Sequence, residues 1–447
     1  VFDNTNTTRN EPMRKTMMVW SACAAAALSA IAASTAAADA VPYQDVGQAA
    51  INGQSADSAA TSTQANPTNQ AIHVAILSPG AATGAVSQSN TSVAQSAAGN
   101  HADTTQNAAQ SGGGAGGVQA VGQAAASRQA ALSAATSTQA NPTNQAIDVA
   151  ILSPGAGSGS GAVSQSNDSA AQSAAGNHDD TTQNAAQSGG GGGGGGGVQA
   201  VGQQAGNEQG AGSTATSTQS GASDKAIHVA ILSPGASSGA VSQSNDSAAR
   251  SEAGNENATK QNAVQDGGGG GGGAGGYEPV KKDDSGQQCG SCHAPSSPAV
   301  QGIGQAADNH QWAGSSATST QESPSNVAID LAILSPGAYG GPVSQSNDSK
   351  AQSAAGNHDD TTQNAAQSAG GWGGGVQAIG QLATSAQSAL SAATSTQWCP
   401  SNLALGTGGD VKQSNASAAG SAAGNENRTA QYAQQALAAF PGPVVLM

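Results

Sequence analysis

Five segments of the chain agree at every second residue and differ in between. The first runs Gln88, Asn90, Ser92, Ala94, Ser96, Ala98, Asn100, and the same residue types restart in the same order at Gln165, Gln243, Gln345 and Gln413. The intervening positions drift. Thr91 becomes Asp168, Asp246, Asp348 or Ala416, and Gln95 becomes Arg250 or Gly420. Side chains two apart share a face only in a β-strand, so the pattern predicts strands with one constrained face and one free face. The constrained face is small and polar, not apolar.

A second alternating tract precedes each of these segments. In one copy it reads Val121, Gln123, Ala125, Ser127, Gln129, Ala131, Ser133, Ala135, Ser137, Gln139, and it recurs from Ile303 to Gln321. Its intervening positions hold Arg128, His310 or Trp312, a tolerance that marks a solvent-facing side. Between the two tracts lies Ile72-His73-Val74-Ala75-Ile76-Leu77-Ser78-Pro79-Gly80, matched by residues 147–155, 227–235 and 329–337. Its β-branched density and Pro-Gly stop predict a short buried strand. The second tract keeps its parity beyond Asn100 through Thr104, Gln106, Ala108 and Gln110, and the Gly99-Asn100 step predicts a turn inside it. Glycine runs at 112–114, 189–197, 267–273 and 373–375 read as flexible loops at the joins between units.

The organisation that follows is residues 1–40 upstream sequence and secretory signal, 41–117 repeat 1, 118–197 repeat 2, 198–276 repeat 3, 277–299 an insert, 300–375 repeat 4, 376–435 a degenerate terminal repeat 5 and 436–447 a tail. The signal reading rests on Met13-Arg14-Lys15, an apolar stretch from Met17 to about Ala33 and the small-residue site Ala38-Asp39-Ala40. Repetition on this scale predicts an all-β array of stacked coils, a β-solenoid with glycine-rich loops, whose last unit caps it. A largely disordered low-complexity chain is the alternative. Disorder, however, gives no reason to fix alternate residues while freeing their neighbours.

Burying an unpaired amide costs a few kcal/mol, so an inward polar face needs partners. In-register stacking at ~4.8 Å supplies them, because each amide can pair with its copy one coil away. The predicted ladder comprises Gln88, Asn90, Asn100 and Gln106 in repeat 1, and Gln123, Gln129, Gln139, Gln165, Asn167, Asn177 and Gln183 in repeat 2. It continues through Gln243, Asn245 and Asn255, then Gln345, Asn347 and Asn357, and ends at Gln413, Asn415 and Asn425. In Gln123, Ser127, Gln129 and Gln139 of the first tracts and Gln165, Asn167, Asn177 and Gln183 of the second, the chain resembles the curlin repeat family, in pattern over roughly residues 46–435. Curlin units are a single coil, whereas this unit holds two tracts and the apolar strand. The resemblance implies a secreted subunit of an amyloid-like fibre that serves adhesion and biofilm matrix, with self-association as its main partnership.

Composition narrows the picture. Only 2% of residues are aromatic and 63 are glycine, so bulky side chains cannot build a large core. The formal net charge of −15 opposes binding to nucleic acid or an anionic membrane, and no stretch beyond the signal approaches a membrane span. Cys289, Cys292 and Cys399 are too few to staple a secreted array of this size.

Candidate chemistry is sparse. Cys289-Gly290-Ser291-Cys292-His293 matches the attachment motif of c-type cytochromes, in which two thiols bond the porphyrin and the histidine binds iron. A local disulfide or free dithiol explains the same residues, and the leading cofactor expectation is none. His73, Asp148, His228 and Asp330 occupy one position of the apolar strand, opposite in parity to Ile and Val. A solvent-facing site indifferent to polar identity is the simpler reading; in-register stacking would alternate His with Asp. Thr61-Ser62-Thr63 and its copies have the Thr-x-Thr form of flat ice-binding solenoids, but one pair per unit reads as too sparse. Asp179-Asp180 and Asp359-Asp360 read as an exposed acidic loop with too few carboxylates for Ca²⁺. The Asn-x-Ser/Thr sequons at Asn90, Asn167, Asn245, Asn347 and Asn415 follow the inward ladder and read as structural. No catalytic triad, carboxylate pair or phosphate loop is present, so the chain is expected not to be an enzyme.

Overall fold

The computed structural model describes residues 43–80, 84–111, 117–154, 161–189, 197–267, 300–369, 376–406 and 408–437. Each repeat contributes three strands. Repeat 1 forms β1 (Tyr43–Ala65), β2 (Thr68–Ile76) and β3 (Val86–Ser111). Repeat 2 forms β4 (Val118–Ala140), β5 (Thr143–Ile151) and β6 (Val163–Gly189), and repeat 3 forms β7 (Val198–Ser220), β8 (Ser223–Ile231) and β9 (Val241–Gly267). β10 (Val300–Glu322), β11 (Ser325–Ile333) and β12 (Val343–Ala369) follow, then β13 (Val376–Trp398), β14 (Ser401–Leu405) and β15 (Val411–Leu437).

Strands with the same place in the repeat pair in parallel, giving three five-stranded sheets: β1-β4-β7-β10-β13, β2-β5-β8-β11-β14 and β3-β6-β9-β12-β15. We call them the first, corner and third sheets. One whole repeat is therefore one coil of an all-β solenoid. Pairing is in register residue for residue, as in Gln48 with Gln123 with Gln203. Register survives the unequal joins: β9 and β10 are separated by residues 268–299, β3 and β4 by residues 112–117, yet β7 and β10 pair from Val198–Val300 onward. Among the described residues no helix is long and apolar enough to cross a membrane.

The first and third sheets pack face to face with their strands running in opposite directions, so that Ser133 meets Ser96 and Ser137 meets Ser92. Their inner faces carry Ala, Ser, Asn and Gln. Ala94, Ala135, Ala171, Ala215, Ala249, Ala317 and Ala351 interdigitate into one apolar seam, and Val121, Val201 and Ile303 meet Ala108, Ala185, Ala263 and Ala365 in another. Small side chains let the sheets approach closely, and close packing then substitutes for bulk.

Three expectations fail here. Gly99-Asn100 is not a turn: β3 runs unbroken from Val86 to Ser111, with Asn100 inward and Gly99 outward. Tolerance of positive φ permits a turn but does not force one, and the amide pairing of Asn100 to Asn177 favours continuing the strand. The chain turns instead at Asn66, Asn141, Gly221, Ser323 and Cys399, all left-handed with φ between 47° and 61°.

The second failure concerns the short strand, which forms but with the opposite parity. Ile72, Val74 and Ile76 are 54–57% exposed on the outer face, and Asn69, Ala71, His73 and Ala75 point inward. The reason is the amide network: Asn69 must face inward to reach Asn90 and Asn144, and the period of two then sends Ile72 outward. Third, Asp179-Asp180 and Asp359-Asp360 lie in strands, not an acidic loop. Asp179 and Asp359 are fully buried on the inner face, while Asp180 and Asp360 face out.

Candidate functional site

The candidate site is the inner face itself, a set of amide columns running the length of the array. Gln123 shows the unit of construction. Its Nε2 donates to Gln48 Oε1 one coil before (3.0 Å) and to the Asn184 carbonyl across the core (3.0 Å), while its Oε1 accepts from Gln203 (2.8 Å). Both amide hydrogens and the carbonyl are thus used, which removes the desolvation penalty of burying the group. Gln129, Gln139, Gln165, Gln183, Gln243 and Gln345 repeat the arrangement, with Gln88 and Gln106 at its start and Gln413 at its end.

Asparagine columns run with the opposite sense. Asn90 Nδ2 donates forward to Asn167 Oδ1 (2.9 Å), Asn167 to Asn245, Asn245 to Asn347 and Asn347 to Asn415. Asn100, Asn177, Asn255, Asn357 and Asn425 form a second such column. In these inner-face columns the glutamine amides point their donors toward the first coil and the asparagine amides toward the last, whereas on the outer face Gln95 donates to Gln172 and Asn184 to Asn107, in the reverse senses. The five sequon asparagines all belong to the first column, and Asn167, Asn245 and Asn347 are fully buried.

Where the corner sheet meets the third sheet, Asn69, Asn144, Asp224, Asn326 and Asn402 form one more column. Asn144 donates to Asp224 Oδ1 (2.9 Å), as does Asn167 (2.9 Å), and Asn326 donates to Asn402. Asp224 has no amide hydrogen to pass on, and its Oδ2 has no partner. Burial pushes its pKa up to about 7, despite the two donated hydrogen bonds and with help from the nearby Asp168 charge. Asp168, Asp246 and Asp348 stack on the outer side of the third sheet. Desolvation, then repulsion from Asp168 and Asp348, raises Asp246 to about 6. Burial also raises Asp179 and Asp168.

His73, Asp148, His228 and Asp330 do alternate from coil to coil, and not on a solvent-facing side. They point inward beneath the connections to the third sheet, lining a cavity of about 50 Å³ with Gly84, Gly161, Gly239 and Gly341. His228 Nδ1 lies 2.9 Å from Asp330 Oδ1, and Ser238 Oγ donates to Asp330 Oδ2 (3.3 Å).

The Thr-x-Thr pairs fall one per coil, because the repeat is the coil; the sequence-based count of coils underestimated their density. Thr61, Thr136, Thr216, Thr318 and Thr394 align in one outward column, and Thr63, Thr138, Thr218, Thr320 and Thr396 in the next. Cys289, Cys292 and His293 lie outside the described residues, as do the glycine runs apart from some of their terminal residues; Cys399 is exposed with a free thiol.

Among the described residues nothing covers the outer edge of the first or the last coil. In the last coil Gln377 Oε1 has no partner, and in the first Gln110 Nε2 has none. No protein family, characterised protein or solved structure matches the chain.

Proposed function

We propose that this is a secreted structural protein that associates end to end into an amyloid-like extracellular fibre, in the manner of the curlin repeats it resembles. The observation that carries this reading is the match between the two open ends. Among the described residues, first-coil glutamines such as Gln48 and Gln54 use one amide hydrogen on a backbone carbonyl and have no preceding coil to take the other, while in the last coil Gln377 Oε1 has no donor, in columns shared by all five repeats. A second copy whose β1 and β3 seat on β13 and β15 would extend every column without a break. Gln44 then donates to Gln377, and Gln110 to Gln435. Such a contact is head-to-tail and repeats without closing, which yields a filament. An adhesive or biofilm-matrix role follows from the variable outer face that the filament would display many times over.

The test is assembly of the purified chain. Wild type is expected to form filaments with a ~4.8 Å strand reflection. The double variant Ser417→Lys/Ala423→Lys places charge on the open inner face of β15 and is expected to stay monomeric with its β-sheet signal intact. A wild-type chain that remains monomeric at high concentration would refute the proposal.

A second reading rests on the ten outward threonines. They form two columns with ~4.8 Å steps along each and ~6.7 Å between them, a regular plane of hydroxyl and methyl groups suited to ordering water as on ice-binding solenoids. All five coils keep both threonines although Arg128, Glu208 and His310 share one position of the same face. Inhibition of ice recrystallisation, abolished in Thr138→Lys/Thr218→Lys, supports this reading; equal behaviour of wild type and variant removes it.

A further inference from the structure

The outer face of the third sheet carries a column in which every coil presents a metal-ligating side chain: His101, His178, Glu256, His358 and Glu426. The column occupied by Gln95 on the same face holds Gln, Arg or Gly. Two residues further along each strand, a carboxylate accompanies each histidine. His101 Nε2 lies 3.3 Å from Asp103 Oδ2, and His178 Nε2 lies 3.4 Å from Asp180 Oδ2. The two imidazoles stack with centroids 4.8 Å apart and planes within 8°. Ligand atoms of His101, Asp103 and His178 all lie within 4.8 Å of one another.

We propose that His101, Asp103 and His178, with Asp180 as the fourth donor, bind one divalent ion of the Zn²⁺ class. Around a tetrahedral ion with bonds of ~2.0–2.1 Å, neighbouring donor atoms sit ~3.3 Å apart. Each histidine already stands at that distance from its aspartate. Closing the site requires that the two rings tilt toward each other from their stacked positions and that Asp180 turn onto the ion, with Glu256 Oε2 standing 3.2 Å from His178 Nδ1 on the far side of the ring. Two imidazoles and two carboxylates favour a borderline ion over Ca²⁺ or Mg²⁺, which prefer oxygen ligands.

The scaffold supports the arrangement from both sides. On the inner face beneath the histidines, Asn100 Nδ2 donates a hydrogen bond to Asn177 Oδ1 (2.9 Å), which helps to hold the spacing of the two strands. Beside them on the outer face stand Gly99 and Gly176, which leave the approach to the rings open. The net charge of −15 draws cations toward the surface.

Titration of the metal-free full chain with Zn²⁺ at pH 7.5 tests the site, using His101→Ala and His178→Ala. Both side chains project outward, and an unchanged circular dichroism spectrum verifies that each variant folds. Each is expected to lose at least ~10-fold in affinity at one site per chain, while His310→Ala, on the opposite sheet, leaves that site unchanged. Any ion taken up by Cys289 and Cys292 is common to all these chains and cancels in the comparison. Cobalt in place of zinc is expected to give the intense visible absorption of a tetrahedral ion, lost in His178→Ala. Identical Zn²⁺ titrations of wild type and both variants, or displacement of Zn²⁺ by equimolar Ca²⁺, would overturn the assignment.

Discussion

Asp224→Asn is expected to stabilise the array at neutral and alkaline pH by a few kcal/mol, and to change little near pH 4. The carboxylate sits fully buried in a column otherwise made of asparagine, accepting two amide hydrogen bonds but donating none onward. In the unfolded chain it loses its proton near pH 4, and in the folded chain near pH 7. Between those values the folded state holds the extra proton, so stability is highest below ~4 and is lost as the pH rises through ~7. At ~1.4 kcal/mol per pKa unit the loss reaches a few kcal/mol. Asparagine removes the titration and restores a donor for the next amide. Urea denaturation of both chains from pH 4 to pH 8 checks it: the wild-type curve falls with pH and the variant curve is flatter. Asp246, raised to about 6, adds a shallower slope of the same sign to both chains. Parallel pH profiles for the two chains would show that Asp224 is not the group responsible.

The other large effect is expected from breaking a glutamine column in its interior. Gln183 donates to Gln106 Oε1 (2.8 Å) and to the Gln204 carbonyl (2.9 Å), and accepts from Gln261 (2.8 Å). Gln183→Ala leaves a cavity and orphans a donor on one side and an acceptor on the other. A loss of ~3–5 kcal/mol follows from the sum of those penalties. Gln172→Ala, at a position of opposite parity on the same strand, removes an exposed side chain that accepts a bond from Gln95 (3.2 Å) and is expected to cost less than ~0.5 kcal/mol. Chemical denaturation of the two variants side by side measures the contrast. Because coils contact only their neighbours, the interior break should also reduce cooperativity, splitting one transition into two.

The alternate-residue pattern was enough to read strands, stacking and the all-β array, since only a face packed against copies of itself has reason to fix Gln, Asn, Ser and Ala. What it could not supply was which chemistry overrides which. Hydrophobicity placed Ile72 and Val74 inside, whereas the structure lets Asn69 decide the parity and turns the apolar side outward. A reader who weighted the Asn-x-Ala-x spacing of Asn69 and Ala71 above the isoleucines would have found it. Asp179 and Asp359 were hidden for a related reason: a charged residue beside a histidine reads as surface, yet parity with Asn177 and Asn357 puts both inside. The column of His101, His178, Glu256, His358 and Glu426 on the third sheet was illegible because successive members lie far apart in the chain, as His101 and His178 do, and meet only once the coil length is known.

The unequal joins between β3 and β4 and between β9 and β10 carry an implication for how such a chain can change. Geometry within the stack is set by neighbours above and below, so the length of covalent connection hardly enters; each doubling of a connecting segment costs only ~0.6 kcal/mol of closure entropy. Residues 268–299 occupy a position where residues 112–117 suffice elsewhere, with the strands on both sides still matched residue for residue. Each coil edge is therefore a docking bay for passenger sequence, which can be acquired or discarded without re-engineering the rack that carries it.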